Sequence, residues 1–94
     1  MPIQHNTYFD GNVQSVSSQR NGRKFSVGIA TKGTYFFGTN AAERNTVISG
    51  LLRVRIQGAT EWLTYPAGTN FEVPAHSGFD VKVECDSAFY CEYL

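Results

Sequence analysis

Turns divide this chain so often that only short elements fit between them. Turn signals stand at Asn21-Gly22, Lys32-Gly33, Ser49-Gly50, Gly58-Ala59, Pro66-Ala67-Gly68 and Pro74-Ala75. No window of 11 or more residues carries helical periodicity. The stretches between turns alternate instead. Leu52, Val54 and Ile56 are apolar while Arg53, Arg55 and Gln57 are polar. Phe79, Val81, Val83 and Cys85 alternate in the same way with Asp80, Lys82 and Glu84. Successive strand side chains point to opposite faces, so each pattern reads as a strand with one buried face.

About nine short strands follow, over Asn12–Ser18, Lys24–Ala30, Thr34–Gly38, Arg44–Ser49, Leu51–Gln57, Glu61–Tyr65, Asn70–Val73, Phe79–Cys85 and Phe89–Tyr93. Asn21-Gly22 is a strong two-residue hairpin signal, because both residues tolerate positive φ. Many short strands with regular turns predict an all-β sandwich or barrel. At 94 residues, with no linker or repeat, residues 1–94 form one domain with one core. The apolar end, Phe89 to Leu94, is expected to be tied into a sheet, with a subunit interface as a further place for it.

Strand parity names an interior. Tyr35 and Phe37 share a face, and Thr39 continues it. On the preceding strand Phe25, Val27 and Ile29 are the apolar set, and Arg23 has their parity. Arg23 is thus either an inward fork for an anion at the barrel mouth or a solvated hairpin charge. Glu43 is either a surface carboxylate or an inward one. If inward among aromatic residues, its pKa is expected to rise by desolvation, suiting a general acid or a partner for a sugar hydroxyl. His76 falls in a turn, where a structural role competes with proton donation. Trp62, Tyr35, Phe37 and Phe79 are core residues in the simplest reading, and flat stacking surfaces where they border a cavity. Arg53 and Arg55 face solvent or an interface.

Composition excludes several classes. Seven Phe and five Tyr are more large rings than so small a domain easily buries, so some line a pocket or interface. Eight basic and eight acidic residues balance, which argues against a nucleic-acid polymer as partner. No apolar stretch approaches the roughly 20 residues of a membrane helix. The N-terminal residues carry no signal-peptide pattern, so the expectation is a cytoplasmic protein. Cys85 and Cys91 are expected as buried free thiols, with a terminal disulfide as the alternative. They make no zinc site, lacking a second ligand pair.

Two segments resemble the paired motifs of cupins. The first runs from Phe37 through Thr39 to Glu43 and reaches Gly50, and the second spans Gly68 to Phe79. Cupin motifs carry two histidines and a glutamate in the first and a histidine in the second. Here Phe37, Thr39 and Phe79 stand at the histidine positions, and Glu43 alone remains. The resemblance implies a single-domain cupin (RmlC-like) β-barrel of the jelly-roll kind, without the usual metal ligands.

A longer series is similar to the small bacterial pyrimidine/purine nucleoside phosphorylase family. It comprises Tyr8 to Val13, Ser26-Val27-Gly28, Gly33-Thr34-Tyr35, Glu43 to Gly50, Ala59 to Trp62, Tyr65 to Gly68, Phe71 to Ser77 and Tyr90 to Leu94. This resemblance implies a homodimer that phosphorolyses purine and pyrimidine nucleosides to free base and ribose 1-phosphate. Inorganic phosphate is the co-substrate, with no cofactor or metal. The residues suit that chemistry. Arg23 with Thr39 or Ser77 is the candidate phosphate site. Glu43 and His76 are the candidate catalytic pair, and Tyr35, Phe37, Trp62 and Phe79 the nucleoside surfaces. Stacking tolerates every base. Two other readings compete: a non-enzymatic cupin that binds a nucleoside or sugar, and a metal cupin using His5 or His76 with Glu43. Two histidines are too few for the usual ligand set of the latter.

Overall fold

A computed structural model describes residues 2–94. Ten strands fold into two antiparallel sheets. They are β1 (Gln4–Tyr8), β2 (Val13–Arg20), β3 (Arg23–Ala30), β4 (Gly33–Thr39), β5 (Glu43–Ser49), β6 (Leu51–Ile56), β7 (Leu63–Pro66), β8 (Asn70–Val73), β9 (Ser77–Val83) and β10 (Ser87–Tyr93). The larger sheet has the order β1-β2-β3-β10-β5-β8, and the smaller has β4-β9-β6-β7. The chain end, β10, lies between β3 and β5 rather than at an edge.

β1 escapes the strand reading because Gln-His-Asn-Thr-Tyr has no apolar alternation. Its pairing with β2 holds it, from Gln4↔Ser17 to Tyr8↔Val13, helped by Asn6, whose amide donates to Ser15 and Ser17 at 3.4 and 3.3 Å. The strand expected over Glu61–Tyr65 begins only at Leu63. The Asn21-Gly22 hairpin forms as expected, with φ of 55° and 76°.

The core lies between the sheets. Leu52 and Val54 of β6 face Val47 of β5 and Phe71 and Val73 of β8, all under 6% exposed. Phe79, Val81 and Val83 bury from β9, as their alternation predicts. Cys85 departs from that alternation, being exposed beyond the strand end, while Cys91 is buried; both thiols are free. Outside the smaller sheet Arg53 pairs with Glu84 and Arg55 with Asp80, at 3.3 and 3.1 Å.

The parity of β3 is opposite to the expected one. Ser26, Gly28 and Ala30 face inward, while Val27 and Ile29 are 42% and 58% exposed. The reason is space. A Cβ on Gly28 would sit 2.6 Å from the Phe89 ring and 2.6 Å from the Gln14 carbonyl oxygen. Small residues on the inner face of β3 thus make room for rings from β10, and the larger apolar residues go outside. Arg23, sharing the parity of Phe25, does not point into the barrel. Lys24 takes the inner parity, and its ammonium lies 5.2 Å from the centroid of the Tyr93 ring.

Candidate functional site

The barrel encloses a cavity of about 170 Å³. Aromatic rings form one wall. Phe37 of β4 and Phe79 of β9 are cross-strand partners and stack with centroids 5.7 Å apart. Phe71 meets the Phe79 ring edge-on at 5.5 Å. On the other side Tyr8 and Phe9 meet Phe37 edge-on, at 6.0 and 5.4 Å. Phe9 and Asp10 both hold left-handed φ, 53° and 57°. For a bulky residue such as Phe9 that conformation is unfavourable. Its ring is held there against Tyr35 as well, 5.0 Å away.

The opposite wall is polar. Alternation along β5 turns Glu43, Asn45 and Val47 inward, and alternation along β10 turns Phe89, Cys91 and Tyr93 toward the same space. Antiparallel register sets Tyr93 opposite Glu43 and Cys91 opposite Asn45. Glu43 is 9% exposed, and the Asn45 side-chain amide donates to its Oε1 at 3.1 Å. No buried side-chain polar atom among the described residues is sealed without a partner. The second carboxyl oxygen, which takes no protein hydrogen bond, therefore opens to the cavity.

Burial raises the pKa of Glu43 above the ordinary carboxylate value, and the Asn45 hydrogen bond only partly offsets it. Burial, reinforced by the Glu43 charge, pushes the Cys91 thiol up to about 12. The Tyr93 phenol is raised by burial too, and by its ionisable neighbours Cys91 and Glu43. The cavity thus favours neutral, proton-bearing groups: a carboxyl, a thiol and a phenol along one wall.

The other residues singled out in the sequence lie elsewhere or are already engaged. Tyr35 is buried, and its hydroxyl donates to the Thr31 carbonyl at 2.8 Å. The Thr39 hydroxyl donates to the Pro74 carbonyl at 2.7 Å and accepts from the Ser77 amide at 3.0 Å. That pair closes the turn carrying His76, which is exposed with φ of 55°. Trp62 lies outside the smaller sheet, its ring 4.7 Å from the Arg55 guanidinium and 4.3 Å from the Lys82 ammonium. Arg23 lies on a surface groove at the β2–β3 hairpin. Of the residues named in advance, Glu43, Phe37 and Phe79 line the cavity. Asn45, Tyr93 and Tyr8 line it too, beyond the sequence reading, and so does Cys91, expected only as a buried free thiol. The signal for Asn45 was its parity with Glu43, two residues on. For Tyr93 and Cys91 it was the alternation of the last strand.

Two antiparallel sheets closed around an interior site define a cupin-type barrel. EutQ of Clostridium difficile, 20% identical, has the same fold, with a TM-score of 0.72 over 86% of this chain and 67% of that one. The pyrimidine/purine nucleoside phosphorylase family matches residues 3–93. A Sorangium cellulosum protein named pyrimidine/purine nucleoside phosphorylase is 50% identical over 92 residues, covering 98% of this chain and 99% of that one. A Vibrio parahaemolyticus protein of unknown function superposes with a TM-score of 0.97 at 41% identity over the whole of both chains. The chain belongs to the pyrimidine/purine nucleoside phosphorylase family. Among the described residues, no helix is long and apolar enough to cross a membrane.

Proposed function

We propose that this chain is a pentosyltransferase that phosphorolyses purine and pyrimidine nucleosides to free base and ribose 1-phosphate, with inorganic phosphate as its only co-substrate. The observation that carries the reading, beyond family membership, is the buried Glu43 carboxyl, its pKa raised by desolvation, facing an aromatic cavity. In the reaction the bond from C1′ to the base nitrogen breaks, and its electron pair leaves with the base. A phosphate oxygen forms the new bond to C1′. The departing base must gain a proton. Glu43, held by Asn45 with its other oxygen free, donates that proton and regains one from hydrogen phosphate. The rings of Phe37 and Phe79 offer a flat apolar surface that accepts any base. No dedicated reader of a base edge is needed, which supports a broad substrate range.

No resident metal enters this scheme. By the cupin resemblance Phe37, Thr39 and Phe79 stand where histidines would be, and no group of three His, Cys, Asp or Glu comes together among the described residues. We place the reaction in the cytoplasm, where an exposed thiol such as Cys85 stays reduced. The test is release of uracil from uridine and of adenine from adenosine with and without phosphate. Phosphate-dependent release is expected, with Glu43→Gln slowed roughly 100-fold or more. No release from a broad nucleoside panel refutes the reading.

One observation favours a non-enzymatic binder instead. The cavity of about 170 Å³ is smaller than the ~300 Å³ at which small-molecule sites usually begin. Calorimetric binding of a nucleoside or sugar without product marks that alternative.

We further propose a homodimer formed through the outer face of the larger sheet. Val16, Val27, Ile29 and Ile48 lie there 42–58% exposed, with Val16 paired to Val27 across β2 and β3. Their exposed area, on the order of 300–400 Å², lies in the range of the largest apolar patch on a typical monomer, which is often a functional surface. A stable interface buries ~800 Å² on each partner, so this patch would form its apolar centre and the surrounding polar surface the remainder. A second copy fits because a two-fold axis lays the patch on itself. Light scattering is expected to give twice the chain mass, falling to one chain mass for Ile29→Glu. A monomer at all concentrations, or an unchanged Ile29→Glu dimer, refutes this face.

A further inference from the structure

The cavity is too small to hold a whole nucleoside together with phosphate, so the phosphate needs a place outside it. The wall that Tyr93 contributes has two sides. One faces the cavity with Glu43 and Cys91; the other faces a surface groove of about 380 Å³ at the tip of the β2–β3 hairpin. Three cations of that hairpin line the groove: Arg20, Arg23 and Lys24. None of them has an acidic partner within ion-pair distance among the described residues. Arg44 and Glu92 also line the groove, but they pair with each other at 3.7 Å, and Arg44 also binds Glu72 at 3.2 Å.

Aromatic rings position two of the three free cations. The Arg20 guanidinium lies 4.8 Å from the centroid of the Phe25 ring, and its Nη2 donates to the Tyr90 hydroxyl at 3.4 Å. The Lys24 ammonium lies 5.2 Å from the Tyr93 ring centroid. Ring faces attract a cation but leave its N–H donors free for an anion. In a chain with eight acidic residues and no net charge, three unpaired cations at one hairpin tip form a local anion site. Lys24 is the one with inner parity, and the ring it covers belongs to the cavity wall.

We propose that this hairpin tip is the phosphate site, with Lys24 as the principal contact, Arg23 and Arg20 supporting it, and Tyr93 the partition past which phosphate meets C1′. The site takes over the role that residue pattern alone assigned to Arg23 with Thr39 and Ser77. It rests on the phosphorolysis reading for its ligand, though not for its charge. A strong anion held by ammonium and guanidinium groups is bound by charge-assisted hydrogen bonds, so loss of one contact weakens it roughly tenfold to a hundredfold.

Two measurements on the full chain test the site. The first is binding of inorganic phosphate, without nucleoside, by calorimetry at low and high salt. The second is the KM for phosphate at saturating uridine. Lys24→Ala is expected to weaken phosphate binding and raise that KM at least tenfold, with kcat within about threefold. Lys24→Arg is expected to restore both, and Lys82→Ala, stacked on Trp62 across the molecule, to change neither. Lys24 is exposed, so its substitution leaves the core intact, and an unchanged melting temperature checks this. If Lys24→Ala binds phosphate as the parent does, the site is refuted even where phosphorolysis is real. If the parent loses phosphate binding through Lys24→Ala yet never releases a base, the site stands and the phosphorylase reading falls.

Discussion

Replacing Phe79 by alanine tests whether the aromatic wall is packed core or loose pocket lining. Phe79 is 6% exposed, stacks on Phe37 at 5.7 Å and meets Phe71 at 5.5 Å. Truncating a buried phenylalanine removes its transfer free energy and leaves a void, costing about 3–5 kcal/mol. A domain of 94 residues has a total stability of roughly 5–14 kcal/mol. The variant should therefore still fold, but with a large share of its margin gone. Each kcal/mol shifts the melting temperature of a domain this size by about 4–8 °C, so a fall of roughly 12–40 °C is expected. Urea unfolding followed by tryptophan fluorescence measures the cost, with an unchanged slope showing that the two states are the same. Leu63→Ala is the control; Leu63 is 51% exposed and should cost about 1 kcal/mol or less. A Phe79→Ala cost below about 1 kcal/mol would refute the reasoning. It would mean that the Phe37–Phe79–Phe71 stack collapses around the gap and does not hold the cavity open.

Glu43→Gln carries a pH signature, because the carboxyl is easier to protonate folded than unfolded. Between the ordinary glutamate value and the raised one, the folded chain keeps a proton that the unfolded chain has released. Stability therefore falls as pH rises through that window and stays lowered above it. Glutamine keeps the acceptor for Asn45 and removes this decline. The variant should gain on the parent in urea midpoint as pH rises from about 4 toward neutrality; a difference that does not vary with pH contradicts an inward, desolvated Glu43. Gly28→Ala should overpack against Phe89 and Gln14 and cost about 1–3 kcal/mol, and a neutral result in thermal melts would show that the inner face of β3 has room to spare. Thiol labelling at mildly alkaline pH should modify Cys85 quickly and Cys91 only on unfolding, since Cys91 is buried with its thiol pushed up to about 12; two fast-reacting thiols per folded chain would contradict that.

The outcome on β3 explains which parts of the site were legible. In β6 and β9 the polar face is charged, through Arg53, Arg55, Asp80 and Lys82, so alternation assigns the buried side without ambiguity. In β3 both faces are apolar or small, and size decides instead. Phe89 needs the space over Gly28, so Val27 and Ile29 turn outward. That inversion moved the inward cation from Arg23 to Lys24. Trp62 was misplaced for a related reason: an isolated indole reads as core, yet here it spreads over Arg55 and Lys82 on the outside.

The sequence by itself determined the class of fold, because turns at short intervals and period-two alternation admit little besides antiparallel sheets. Resemblance to the cupin motifs also singled out Glu43 as a candidate, since that is a matter of residue identity and spacing. Family membership followed from the ordered series of motifs along the chain. The tertiary structure decided what those residues meet. Glu43 acquires Asn45, Cys91 and Tyr93 through registers between β5 and β10, strands some forty residues apart whose pairing leaves no local trace. The Thr39 hydroxyl becomes structural because antiparallel pairing of β4 and β9 sets it opposite Ser77, whose backbone amide donates to it. Local pattern records which face a residue prefers; only the closed barrel fixes which side chains share it.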